Sequence, residues 1–158
     1  MKKNEKTNVM RVLDQKKVSY VSHSYVDTDA ISGVEVAKVL NQDPNQVFKT
    51  LVTIGASKKY YVYLVPVHKE LDLKKSAKAV GEKSIVMLPA KDLLPLTVYN
   101  HGGCSPIGMK KQFHTTIDHT AANFDTIVFS AGKIGYQVEL PLEELKKVIR
   151  FELKEITE

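Results

Sequence analysis

Apolar residues recur along the chain at spacings that separate helices from strands. Val9, Val12 and Leu13 share one face of a 3.6-residue period, and Thr7 or Asn8 can cap a first helix that runs to about Lys16. Alternation then takes over, and residues 18–25 read as a strand. Ser32-Gly33-Val34-Glu35 matches a capping box, in which the serine and glutamate side chains satisfy the free N–H groups of a helix start. The helix it opens runs to Leu40, and Asp43-Pro44-Asn45 breaks it.

Residues 47–54 and 60–67 are β-rich, with Gly55-Ala56-Ser57-Lys58-Lys59 as the hairpin loop between them. Asp72 caps a helix that Gly81 stops. Residues 85–88 form a short strand and residues 90–94 one helical turn. Strands follow over residues 113–118 and 125–130, and residues 136–140 return across Gly132-Lys133-Ile134-Gly135. Pro141, at a first helical position, opens a helix from Leu142 to about Ile149. Strands and helices mix without strict βαβ alternation. The expected fold is therefore one α/β domain around a mixed, curved sheet, spanning residues 1–158, and the doubly wound dinucleotide fold is disfavoured.

Composition changes this picture little. At 158 residues, 43% apolar and 26% charged, the chain is ordinary globular material large enough to need no staple. Cys104 is the single cysteine, so no internal disulfide forms and a cytoplasmic setting fits. The opening MKKNEKTNVM has no apolar leader core, and the apolar run 60–67 is too short to span a bilayer and contains Pro66, so no membrane partner is expected. Charge adds a direction. Lys and Arg total 23 against 18 acids, which mildly favours a polyanion such as nucleic acid.

Chemistry concentrates in a few segments. His101-Gly102-Gly103-Cys104-Ser105-Pro106-Ile107-Gly108 holds three glycines and a proline. Such a loop can turn successive N–H groups toward an anion or an oxyanion, or it can be a tight connection with no ligand. Cys104 invites a nucleophile reading, but a free cysteine is more often a small buried hydrophobe, and nothing nearby is recognisable as its activator. Lys49 lies in the apolar run Val47-Phe48-Lys49-Thr50-Leu51-Val52. Pointing inward it needs an anion such as phosphate; pointing outward it is a solvated lysine. Ser130-Ala131-Gly132-Lys133 can place a hydroxyl at a cleft or be an ordinary turn. Walker A, GxGxxG, HExxH and CxxC patterns are absent, and the five histidines lack metal-ligand spacing, so no metal is implied.

Several runs, in one order over almost the whole chain, resemble a known family. They are KTNVMRVLDQKKVSY, VFKTLV, VPV with LDLKKSAKAVG, GGCSPIGMKKQFHTTID and SAGKIGYQVEL. Together they are similar to the YbaK/EbsC group, whose best-known members are Cys-tRNA(Pro) deacylases related to the editing domain of prolyl-tRNA synthetase. The resemblance implies a barrel-like mixed sheet with helices around it. It also implies hydrolysis of Cys-tRNA(Pro) in trans, with no cofactor or metal. The implied partners are the cysteine-bearing acceptor end of tRNA(Pro) and prolyl-tRNA synthetase.

By motif, Lys49 matches the family's essential lysine and Thr50 its neighbour at the pocket. Gly102 and Gly103 match the glycine pair facing the aminoacyl group or terminal adenosine, with Ser105 and Pro106 beside them. Ser130 and Gly132 belong to the SxGK turn, and Tyr25 matches the tyrosine ending the second segment. Gln137 falls where some members carry an acid. Ser32 stands where an aromatic can occur, and the segment after Tyr25 is shorter than in some relatives. Relatives can carry an apolar residue at Cys104. The mechanism implied is substrate-assisted: the substrate's own thiol attacks its ester carbonyl and expels the tRNA. Ala-tRNA(Pro) deacylation, or a non-catalytic regulatory module binding tRNA or a synthetase, are the alternatives. Oligomeric state is not legible.

Overall fold

The computed structural model describes residues 5–158; the charged opening, residues 1–4, lies outside them. Chain order runs α1 (Asn8–Gln15), β1 (Val21–Ser24), α2 (Gly33–Val39), β2 (Phe48–Gly55), β3 (Tyr60–Pro66), α3 (Leu73–Val80) and β4 (Ile85–Met87). It continues with α4 (Ala90–Thr97), β5 (His114–Asp118), a 3-10 turn (His119–Asn123), β6 (Ile127–Ser130), β7 (Tyr136–Leu140), α5 (Leu142–Leu145) and β8 (Glu152–Lys154). The class is the mixed α/β one expected from the sequence. The strands form two open sheets, ordered β1-β7-β6 and β4-β2-β3-β5-β8, and do not close into a barrel.

Local chemistry sets most boundaries. The Thr7 hydroxyl accepts from the Met10 N–H at the start of α1. Ser32 and Glu35 form the reciprocal capping box of α2, and Asp72 caps α3 through the Lys75 N–H. Gly81 closes α3 in the left-handed conformation, at φ 75°. Each such cap contributes about 1 kcal/mol.

Three elements end elsewhere than expected, and two are added. β1 is only Val21–Ser24, because Val18 turns into the core rather than continuing the alternation. α4 runs through Pro95 to Thr97, whose hydroxyl bonds the Leu93 carbonyl. α5 stops at Leu145, with turns carrying the chain onward. β8 and the 3-10 turn are additions, tied together by buried Asp118, whose carboxylate accepts from Ile156 N–H on one oxygen and from Thr120 on the other.

The main core lies between the two sheets. It includes Val9 and Leu13 of α1, Phe48 and Val52 of β2, Leu64, Ile117, Phe129 and Val138. Fully burying one such side chain is worth about 1.5–3 kcal/mol. A second cluster under α3 holds Tyr63, Val65 and Ala77. The seam between the sheets is a parallel bridge from Val47 to Val128, and both side chains pack with Ala37 of α2 and Val67.

Candidate active site

The site is organised by the turn between β6 and β7. Gly132 and Gly135 both take positive φ, 88° and 106°. The Gly132 N–H donates to Ser130 Oγ at 3.1 Å, and Ala131 N–H donates to the Tyr136 carbonyl at 3.0 Å. A side chain at Gly132 would put its Cβ 2.8 Å from Val9 and 2.9 Å from Tyr99, so only glycine fits the conformation and the space. Just past β1, the Tyr25 N–H donates to the Gly135 carbonyl at 2.8 Å. Tyr25, Ser130, Gly132 and Gln137 thus meet around one turn.

The glycine-rich loop packs against the other flank of that turn. A Cβ on Gly103 would lie 3.2 Å from the backbone nitrogen of Ile134, so two backbones approach here as closely as glycine permits. Between them is a cleft of about 250 Å³ lined by Val98, Tyr99, Asn100, Gly103, Gly132, Lys133 and Ile134. Gly102 is exposed at its rim, with φ 89°. The Gly103 N–H already donates to the Asn100 carbonyl at 3.0 Å and is not a free oxyanion donor.

Past Gly103 the loop dives inward. Cys104, Ser105 and Pro106 are buried, and Ser105 Oγ accepts from the Ile107 N–H at 3.4 Å. Any role of Ser105 or Pro106 toward a ligand therefore runs through the backbone they shape. Burial pushes the Cys104 thiol up to about 12, so at neutral pH it is a thiol and not a nucleophile. Burial likewise raises the Tyr99 hydroxyl to about 12, with Cys104 adding to the effect; that hydroxyl donates to the Ile107 carbonyl.

The outer face of the three-stranded sheet carries a polar row. His23, Gln137 and Ser130 stand directly opposite one another on β1, β7 and β6. Val47 bridges Val128, and two residues further along each strand, on the same face, come Lys49 and Ser130. Strand alternation so extends the row to Lys49. Its ammonium is half-buried and lies 3.6 Å from Glu70, a carboxylate that is 75% exposed. Thr50 points to the opposite face, toward the main core between Phe48 and Val52; its hydroxyl oxygen is buried with no hydrogen-bond partner among the described residues.

Around the row lie residues that the sequence reading did not single out. Gln42, just past α2, donates its amide to Gln137 Oε1 at 2.8 Å, while its own oxygen is buried without a partner among the described residues. His23 Nε2 is 2.7 Å from Glu139 Oε1. The other Glu139 oxygen accepts from the Thr126 hydroxyl, and Gln46 donates to Thr126. Burial pushes the Glu139 carboxyl up, but its bonds from Thr126 and His23 outweigh that and hold it below the ordinary value. The signal in the sequence was the alternation of polar His23 in a β-rich run with Gln137 and Glu139 two apart in another.

No hydrogen bond or ion pair joins Lys49 to the turn cluster among the described residues; register alone places it there. A larger depression, about 350 Å³, lies elsewhere, between Ile54, Tyr60, Leu88 and the Pro89–Leu96 segment, and includes none of the singled-out residues.

Residues 28–148 match the aminoacyl-tRNA editing domain family, a span that takes in Lys49, the glycine loop and the turn. The chain belongs to that family. A protein of Enterococcus faecalis (strain ATCC 700802 / V583), provisionally named Cys-tRNA(Pro)/Cys-tRNA(Cys) deacylase EbsC, is 44% identical over 157 residues, covering 99% of this chain and 96% of that one. A crystal structure provisionally described as a trans-editing enzyme for prolyl tRNA synthetase superposes with a TM-score of 0.81 at 19% identity, over 96% of this chain and 98% of that one. A hypothetical protein's crystal structure gives 0.84 at 16% identity, over 96% and 100%. Those two likenesses establish the editing-domain fold. No helix among the described residues is long and apolar enough to cross a membrane.

Proposed function

We propose that this chain is one editing domain that acts in trans, hydrolysing the ester of cysteine mischarged onto tRNA(Pro). The observation that carries the reading is the state of Cys104. A family thiol esterase built on its own cysteine would need a thiolate, and here the thiol is sealed in the core and held protonated to about 12. In this reading the attacking sulfur is the substrate's. It adds to the ester carbonyl, the ribose oxygen leaves with the tRNA, and water opens the resulting thiolactone to free cysteine.

In this scheme the protein orients and stabilises rather than attacks. Lys49 neutralises the terminal phosphate or anchors the adenosine. Gly102 and Gly103 allow the acceptor end to approach backbone, with Ser105 and Pro106 fixing the loop beneath them. Tyr25, Ser130, Gly132 and Gln137 form the wall that meets the aminoacyl group, and Thr50 supports Lys49 from the far face of β2. Prolyl-tRNA synthetase, engaged on the same tRNA in the cytoplasm, supplies the choice of tRNA.

The test is hydrolysis of Cys-, Ser-, Ala- and Pro-tRNA(Pro) by the purified protein. Rapid loss of cysteine with serine nearly inert is expected; equal turnover of Ser-tRNA(Pro) would sink the substrate-thiol route. A second reading has its own support, because the name of the 44% identical relative includes Cys-tRNA(Cys). Self-attack by a thiol does not depend on the tRNA body, so Cys-tRNA(Cys) belongs in the same assay.

A further inference from the structure

The polar row contains a histidine held by a carboxylate, and the proposed reaction contains a thiol that must lose a proton. We propose that His23, oriented by Glu139, is the base that takes the proton from the substrate thiol and returns it to the departing ribose oxygen. The inference rests on the deacylase reading above and names a catalytic group for it.

Three observations place His23 for this work. It stands opposite Gln137, which in turn stands opposite Ser130, so its ring sits on the same sheet face two strand spacings from the turn, on the order of 10 Å. Lys49 continues the row on the far side of Ser130. In this proposal the terminal phosphate sits at Lys49 and the aminoacyl group lies over the same sheet face that carries His23. Second, Glu139 accepts from Nε2, which fixes the tautomer and leaves Nδ1 as the acceptor. Third, Glu139 is itself pinned by the Thr126 hydroxyl, and Thr126 by Gln46, so the carboxylate holds the ring without freedom to swing. This is the arrangement of base and orienting acid that proton-transfer catalysis needs.

The groups that face His23 are few. β7 contributes Glu139 and neutral Gln137, β1 contributes Val21, Tyr25 follows it on the same alternation, and the segment after α2 reaches the row through neutral Gln42. The ring is partly open, with 29% of its side chain exposed, so substrate can reach it.

The step balances without any further reagent. Nδ1 takes the S–H proton, the thiolate forms the C–S bond, the ester C–O bond breaks, and the imidazolium proton goes to the leaving ribose oxygen. His23 ends as it began.

The test is single-turnover deacylation of Cys-tRNA(Pro) from pH 6 to 9.5 by wild type, His23→Gln and Glu139→Gln, each checked for fold by circular dichroism. Without the base, the rate must follow the thiol's own ionisation, whose ordinary midpoint is about 8.5. His23→Gln should therefore fall roughly 30-fold or more at pH 7, with its rate rising about tenfold per pH unit and the gap to wild type closing above about pH 9. Glu139→Gln should lose less, with a gap that closes in the same way. A folded His23→Gln whose profile runs parallel to wild type at every pH overturns the proposal. If that variant does not fold, Glu139→Gln decides, and an unchanged neutral-pH rate overturns it. A wild type inactive on Cys-tRNA(Pro) sinks the deacylase reading itself, and this one with it.

Discussion

Lys49 and Cys104 both stand in apolar company in the sequence, and the fold treats them in opposite ways. Cys104 packs among Tyr99, Ile107 and the main core, where burial drives its pKa up to about 12. Lys49 emerges half-buried at the end of a polar row, opposite a carboxylate that is mostly in water. A residue type famous for reactivity is silenced, while one usually read as surface is left facing a site with its charge weakly met. Environment, not side-chain identity, decides which group is available.

The strongest way to break that contrast is Lys49→Ala. Under the phosphate role proposed for Lys49, losing its charge should cost about 2–5 kcal/mol, or roughly 30-fold and upward in kcat/KM for Cys-tRNA(Pro), with the thermal midpoint little changed. Near-normal turnover by the folded variant would remove Lys49 from the site.

Gly132→Ala tests the β6–β7 turn. The new Cβ meets Val9 and Tyr99 at under 3 Å with φ at 88°, so destabilisation of about 2–3 kcal/mol is expected in urea melts, with activity falling alongside. A variant as stable as wild type would mean that the turn relaxes freely.

The thiol itself predicts a pH effect. The unfolded chain releases the Cys104 proton near pH 9, while the folded protein keeps it to about 12. Above pH 9 the folded state binds more protons, so stability should fall as pH rises, by up to about 1.4 kcal/mol per unit from this group. Cys104→Ala should flatten that decline, cost about 1 kcal/mol at pH 7, and keep deacylation within about twofold. A dead but folded Cys104→Ala, or an acyl-enzyme seen by mass spectrometry, would reverse the contrast. The smallest effect expected is from Glu70→Gln. An ion pair to so exposed a carboxylate is worth under about 0.5 kcal/mol, so neither stability nor rate should move much.

Periodicity alone makes most of the fold legible in the sequence. The caps at Thr7, Ser32 and Asp72, the stop at Gly81 and the strand pairs β2–β3 and β6–β7 all follow from local chemistry that the sequence displays. What it hid was non-local. β8 pairs in parallel with β5, a contact that no short-range pattern announces. The helical turn expected over residues 90–94 continues through Pro95 to Thr97. At the site, the glycine loop and the SxGK turn could be picked out singly, but their approach at Gly103 and Ile134 is a tertiary fact. His23, Gln42 and Glu139 went unnoticed because each is unremarkable until strand register sets them beside Gln137.

The β6–β7 turn has one flank against the glycine loop and the other beneath the polar row. A perturbation on either flank is therefore transmitted through the same five residues, 131–135. Paired substitutions across it, such as Gly103→Ala with Gln137→Ala, will not sum: the double variant's loss should differ from the total of the singles by about 0.5–3 kcal/mol. Under the proposed function, recognition of the tRNA end and handling of the amino acid then share a coupling free energy across this turn, which no list of separate residue contributions can partition.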